Sequence, residues 1–151
     1  MSTPIRRRTC TAVAGVVLAA LAATVSPAAA RTVDVVEHAS LTLDRRDGTR
    51  LYESGRATGT LPGKVAAVFT VSPWSVTGTV TLLPNGGGTL TFSVNGKPSR
   101  RARGRTTFTG TMKVLTGTGR YAGARGKANF TGTVVMRTWA ATVTARGRLT
   151  Y

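Results

Sequence analysis

The sequence predicts an all-β fold: a single antiparallel barrel of about eight strands. Three observations predict it. Apolar and polar residues alternate with period two in nearly every segment after residue 30, and no helical period appears there. Threonine and serine fill one face of these runs, as good strand formers that tolerate water. Glycine and alanine recur on the other face, where a small barrel needs short side chains beside large ones.

The first 30 residues are not part of that domain. Met1 to Arg8 is basic and ends Arg6-Arg7-Arg8, Thr11 to Val25 is apolar, and Ser26-Pro-Ala-Ala-Ala30 supplies small residues for cleavage. This order predicts a secretory signal peptide removed before Arg31, leaving residues 31–151 as one exported domain. The residues after the arginines, Thr9-Cys10-Thr11, match twin-arginine export poorly and leave the ordinary secretory route as the expectation. Cys10 is the only cysteine and falls in the leader, so the exported chain would fold without a disulfide.

Within the domain, Val33 to Leu43 places Val33, Val35, Ala39, Leu41 and Leu43 on one face, and Asp44-Arg-Arg-Asp-Gly48 reads as a turn. Arg50 to Thr58 is a less regular strand, ended by Leu61-Pro62-Gly63. Lys64 to Val71 alternates and stops at Ser72-Pro73-Trp74. Ser75 to Leu83 and Gly88 to Asn95 form the clearest hairpin, joined through Pro84-Asn-Gly-Gly87. Lys97 to Arg103 reads as a basic loop, and Arg105 to Leu115 alternates again with Phe108, Gly110, Met112 and Val114 inward. A glycine-rich stretch follows, and then a run with Ala128, Phe130, Gly132, Val134 and Met136 on one face. The last run starts with Trp139 inward and continues with Ala141, Val143, Ala145, Gly147, Leu149 and Tyr151. Phe108-Thr-Gly-Thr111 recurs as Phe130-Thr-Gly-Thr133, which predicts that these two strands are adjacent antiparallel partners. An outer-membrane barrel would also show period two, but it requires a larger apolar face with aromatic girdles, and this chain has few aromatic residues.

The formal charge is +16. Loss of Arg6, Arg7 and Arg8 leaves about +13 on the exported domain. Such a protein adheres to anionic surfaces, although an Arg-, Ala- and Gly-rich composition also follows from a GC-rich bacterial genome. All five acids, Asp34, Glu37, Asp44, Asp47 and Glu53, precede Arg56.

The stretch Thr116-Gly-Thr-Gly-Arg-Tyr-Ala-Gly-Ala-Arg-Gly126 stands apart. Its glycines Gly117, Gly119, Gly123 and Gly126 allow tight turns, and Tyr121 sits where it can act as a plug. It formally matches G-x-G-x-x-A, but a strand follows rather than a helix whose N-terminus would hold a pyrophosphate, so a dinucleotide site is excluded. With Arg120 and Tyr121 at its centre, the stretch resembles the Gly-Thr-Gly-Arg-Phe…Ala-x-Gly signature of the allene oxide cyclase and dirigent superfamily. Trp139 to Tyr151 is similar to the closing strand of short exported bacterial barrels of that type, which have no assigned activity. The resemblance implies an eight-stranded barrel in which the motif joins two strands. Some members of the superfamily form oligomers, and the plant members use cavity carboxylates with a tyrosine or arginine on epoxide or phenoxy intermediates. Here no acid lies among the last 98 residues, so acids from those strands do not carry over, and Tyr121 matches a packing aromatic.

Glu37 and Glu53 are the candidate catalytic acids. Each falls on the apolar parity of its strand, and an inward carboxylate needs a partner such as Arg56. The competing and favoured expectation is a frayed or slipped register that leaves both outside. His38 has the opposite parity and reads as a surface residue. One histidine and sparse acids suggest no metal set, no cofactor and no Ser-His-Asp arrangement. Arg100, Arg101, Arg103 and Arg105 are candidates for binding a polyanion such as an anionic wall polymer. Base-specific nucleic-acid reading is not implied, because neither a helix nor stacking aromatics can be placed beside them. Phe69, Phe92, Phe108, Phe130 and Trp139 are enough to fill a small barrel. The expectation is therefore an exported, non-enzymatic barrel that binds a small apolar ligand or an anionic envelope polymer. An isomerase or cyclase that steers a reactive intermediate is the alternative.

Overall fold

The computed structural model describes residues 30–151. The predicted leader lies outside the described residues, apart from Ala30. The domain is a closed barrel of eight antiparallel strands in meander order. They are β1 (Thr32–Asp47), β2 (Arg50–Gly59), β3 (Gly63–Val71), β4 (Val76–Pro84), β5 (Thr89–Ala102), β6 (Arg105–Thr118), β7 (Arg125–Val135) and β8 (Ala140–Thr150). β1 pairs with β2 on one side and with β8 on the other, from Thr32↔Thr150 to Leu41↔Ala141, so no strand edge is left open. The residues flanking β1 and β8 reinforce the seam. The Arg31 N–H donates to the Tyr151 carbonyl (2.7 Å), and the Tyr151 N–H donates to the Arg31 carbonyl (2.9 Å).

Period two sets inside against outside. Leu41, Leu51, Val65, Leu82, Leu90, Phe130 and Leu149 are buried, and the residues between them are mostly Thr, Ser, Lys and Arg facing out. Lys127, Asn129, Arg146 and Arg148 lie on the outer wall, which is the reverse of the apolar band that a lipid-spanning barrel needs.

Strands meeting in this order send the β1–β2, β3–β4, β5–β6 and β7–β8 turns to one end of the barrel. Both termini and the other three connections go to the opposite end. That opposite end is closed. A single 3₁₀ turn, Gly119–Tyr121, folds the glycine-rich stretch back so that Tyr121, only 2 % exposed, caps the interior. The Tyr121 ring packs against Tyr151 with centroids 4.8 Å apart, and the Arg120 guanidinium lies over both rings. Leu61, Leu82, Leu90 and Ala124 complete this core.

The repeated Phe-Thr-Gly-Thr segments are indeed neighbours, on β6 and β7. The register places Phe108 opposite Gly132 and Phe130 opposite Gly110. Each ring lies over the partner's glycine. A Cβ on Gly110 would stand 2.7 Å from Cζ of Phe130, and one on Gly132 would collide with the Phe108 ring. The two rings meet edge to face, with centroids 6.0 Å apart. The repeat is thus one packing device used twice.

Three expectations need correction. Asp44 to Asp47 is not a turn: β1 continues to Asp47 past a bulge at Asp44, and only Gly48 and Thr49 turn. Lys97 to Arg103 is not a loop. β5 runs through it to Ala102, and β6 starts at Arg105. Only Arg103 and Gly104 turn, both with positive φ (48° and 73°), as in the two-residue hairpins whose twist matches that of the strands. Pro98 is tolerated because the register shifts between Pro98 and Arg100, leaving Ser99 as a bulge. Trp139 is not a strand residue either. It ends the β7–β8 turn with φ 57°, and Met136 lies in the same turn.

We expect Gly132→Ala to cost about 1–3 kcal/mol of stability, because the methyl overpacks the Phe108 ring. Adding Phe108→Ala to that variant should recover part of the loss. Urea unfolding of the two single variants and the double variant measures this coupling, and strict additivity would contradict the ring-over-glycine contact.

Candidate functional site

The interior is not filled. Phe69, Phe92, Phe108, Phe130 and Trp139 all line a cavity of about 150 Å³ instead of closing it. The shortfall follows from the residues around the aromatics. Ala39, Ala57, Ala128, Ala141 and Ala145 face inward and leave space beside the rings. The cavity wall is almost wholly apolar and reaches the turn-bearing end at Val71, Val76 and Trp139. The glycine-rich stretch closes the other end through Tyr121.

Both candidate carboxylates face this interior. Glu53 is 4 % exposed and Glu37 9 % exposed. The frayed or slipped register is therefore overturned. Glu37 is held in regular pairing with Gly59 and Ala145, and Glu53 with Leu43 and Ala67. The expected arginine partner is overturned as well. Arg56 is exposed on the outer face, and among the described residues the only ion pair is Arg148 with Asp34, on the outer wall.

The two acids differ in surroundings. Glu37 lies toward the closed end, where one carboxylate oxygen accepts the Leu61 N–H. Burial raises its pKa, and the Leu61 N–H opposes the rise. Its other oxygen has no partner. Glu53 lies nearer the turn-bearing end, next to the bulge at Asp44 that shifts the β1–β2 register. Its Oε2 is buried without a partner, and burial, helped by the Asp44 charge, pushes its pKa up to about 7. The level of Glu53 continues across the barrel through Ala67, Val80, Phe92 and Val114. Glu53 is thus the one polar side chain on this level of the wall, with Glu37 the second acid, toward the closed end. Glu37 pairs with Gly59, six positions along β2 from Glu53, which is about 20 Å at strand rise. That spacing excludes a carboxylate dyad of the kind glycosidases and aspartic proteases need.

The remaining candidates divide between the two ends. Arg100, Arg101, Arg103 and Arg105 are all exposed on the β5–β6 hairpin at the turn-bearing end. Arg120 and Tyr121 belong to the closed end, with Gly117 backed against the Tyr121 backbone and Gly119 and Gly123 in left-handed conformations. Gly126 packs against the Arg148 and Leu149 backbone of β8. The motif is thus a plug, away from Glu53. His38 is exposed, and its Nδ1 bonds to Thr144 Oγ1 at 3.0 Å. Among the described residues no three His, Cys, Asp or Glu side chains come together as metal ligands, and no helix is long and apolar enough to cross a membrane.

Sequence reasoning missed Trp139 as a rim residue. Its ring lines the cavity while the Arg46 guanidinium lies 4.8 Å from its centroid on the other side. The only signal was its place between a Thr and an Ala just after Met136-Arg137, where a turn was as compatible as a strand. No family model, curated protein or solved structure matches this chain.

The raised Glu53 pKa has a sign that can be measured. A buried acid whose folded pKa exceeds its unfolded value of 4.5 stabilises the fold below pH 4.5, and that contribution is lost as pH rises through about 7. A rise of this size corresponds to a loss on the order of 3 kcal/mol. Glu37 adds a smaller slope of the same sign. We expect Glu53→Gln to flatten most of the fall in stability between pH 5 and 8 and to be the more stable protein at pH 8, as read by urea unfolding across that range. An unchanged slope would place the Glu53 carboxyl in water.

Proposed function

We propose that this is an exported barrel of the allene oxide cyclase and dirigent type that holds a small apolar molecule inside, with Glu53 as the polar contact. The observation that carries the proposal is the unfilled, apolar cavity with one unpartnered carboxyl oxygen of Glu53 in its wall. A dry cavity of about 150 Å³ is the size that admits a benzene ring. The part of the ligand inside the barrel is therefore one ring or a short chain, and anything longer leaves past Val71, Val76 and Trp139. A protonated Glu53 donates a hydrogen bond to a carbonyl, ether or epoxide oxygen, and an ionised one accepts from a hydroxyl or amine.

A second reading is favoured by Glu53 alone. A carboxyl that titrates near neutrality beside a water-poor cavity suits a general acid or base. On that reading the barrel is an isomerase or cyclase that steers a reactive oxygen-bearing intermediate. Glu37 is a weaker candidate because its first oxygen is committed to the Leu61 N–H.

The test is native mass spectrometry of the protein purified from the medium of cells expressing the full chain. A mass excess that is lost on denaturation, from a compound with an apolar ring or chain, is the expected result. A bare mass, together with no thermal stabilisation by single-ring aromatic compounds, would sink the binding reading. Once the ligand is identified, Glu53→Gln separates the two readings. A binding role leaves affinity within about tenfold, because the amide still forms a hydrogen bond. A catalytic role abolishes turnover while the ligand stays bound.

A further inference from the structure

The turn-bearing end of the barrel concentrates charge in a way that the cavity does not explain. The β1–β2 hairpin brings Arg45, Arg46 and Arg50 there, the β5–β6 hairpin Arg100, Arg101, Arg103 and Arg105, and the β7–β8 turn Arg137. All of them are exposed, and the exposed acids at this end are Asp44 and Asp47. Counted in the same way, the closed end carries fewer cations, Arg31 and Arg120 in its terminal segment and connections and Lys64, Arg125 and Arg148 at its strand ends, and the Arg120 guanidinium lies over the tyrosine rings as Arg45 and Arg46 lie over Tyr52 and Trp139. The four turns of this end are far apart in sequence, yet backbone hydrogen bonds tie them in two pairs, β1–β2 with β3–β4 and β5–β6 with β7–β8. The Val71 N–H donates to the Thr49 carbonyl (2.9 Å), and the Met136 N–H donates to the Gly104 carbonyl (2.8 Å).

The fourth turn adds something different. Trp74, on the β3–β4 connection, is 84 % exposed, the most exposed of the large hydrophobic residues described. Its loop is fixed, not loose. The Ser72 Oγ accepts the Ser75 N–H (3.0 Å) and lies 2.9 Å from the Ser75 Oγ, while the Ser72 N–H donates to the Ser75 carbonyl (2.8 Å). An indole held out into solvent on a pinned loop, beside a ring of guanidinium groups, has the composition of a bilayer interface anchor. Trp prefers the headgroup level, and Arg reaches lipid phosphates while its stem covers apolar surface. The two non-glycine residues with positive φ among the described residues, Arg103 and Trp139, also sit at this end, where local preference favours Gly or Asn. A wall polymer or other soluble polyanion would satisfy the arginines but offers no apolar phase for Trp74.

We propose that the turn-bearing end, with Trp74 and the surrounding arginines, docks on an anionic phospholipid bilayer. The inference stands on the surface alone and is independent of any ligand in the cavity.

The test is flotation of the purified protein with vesicles of about one-third phosphatidylglycerol in phosphatidylcholine, and with vesicles of phosphatidylcholine alone. Binding is expected to the anionic vesicles only, to weaken with salt, and to move the Trp emission to shorter wavelength. The triple variant Arg100→Ser, Arg101→Ser and Arg103→Ser should lose about 100-fold in partitioning. Trp74→Ser should lose about tenfold and the spectral shift. A control with equal loss of charge on the outer wall, Arg125→Ser, Lys127→Ser and Arg146→Ser, should lose much less, and thermal unfolding checks that every variant is folded. The proposal is overturned if the wall variant loses as much as the rim variant, if neutral vesicles bind equally, or if Trp74→Ser changes nothing. It is also overturned if soluble polyphosphate or a single-stranded oligonucleotide binds more tightly than the vesicles at equal phosphate concentration, since the rim then belongs to a polymer.

Discussion

The ladder between the first and last strands is the constraint on which everything else rests. β1 must be long enough to pair with β2 along one edge and with β8 along the other, and its 16 residues meet that demand. Closure removes both sheet edges and defines an inside that only alternate residues can enter. A chain with no cysteine after Cys10 has no disulfide to hold such a shape, so the seam and the interior packing must do so.

Closure also dictates how the interior divides. At one end Tyr121, Leu61 and Leu90 shut the barrel. Along the rest of the interior alanines stand among the aromatics, and the Phe108 and Phe130 rings are partly committed to covering glycines on neighbouring strands. A ring that covers a glycine is not free to fill the axis. The cavity and the Phe-over-Gly packing are therefore two outcomes of one choice of residues, and Glu53 opens onto the space they leave.

Much of the architecture was legible as alternation. The strands, the clear hairpin before Asn95 and the neighbouring β6 and β7 followed from parity and from the repeated Phe-Thr-Gly-Thr segments. Misreading began where parity carried no hydrophobic signal. From Lys97 to Arg103 a proline and four cations hide a strand, because both of its faces meet water near the barrel end and a bulge absorbs the proline. Trp139 looked like an inward strand residue, since its ring does point to the cavity; only its left-handed backbone reveals the turn. For Glu37 and Glu53 parity was right, and the weight placed on a slipped register was misplaced. Burial without an arginine raises the pKa of both carboxyls, opposed at Glu37 by the Leu61 N–H, and neither effect is written in local sequence. The cavity itself depends on how registers from eight strands stack, which no single stretch encodes.

The paired backbone bonds between Arg31 and Tyr151 place the two ends of the barrel domain side by side on the closed end. A short linker across them would make the barrel a ring of strands with no natural starting point. A circular permutant that begins instead in the Pro84–Gly88 connection would keep every one of the eight ladders. For the same reason a fusion partner joined directly to Arg31 or after Tyr151 departs on the side away from the arginine-rich rim, so cargo can be attached without covering the mouth of the barrel.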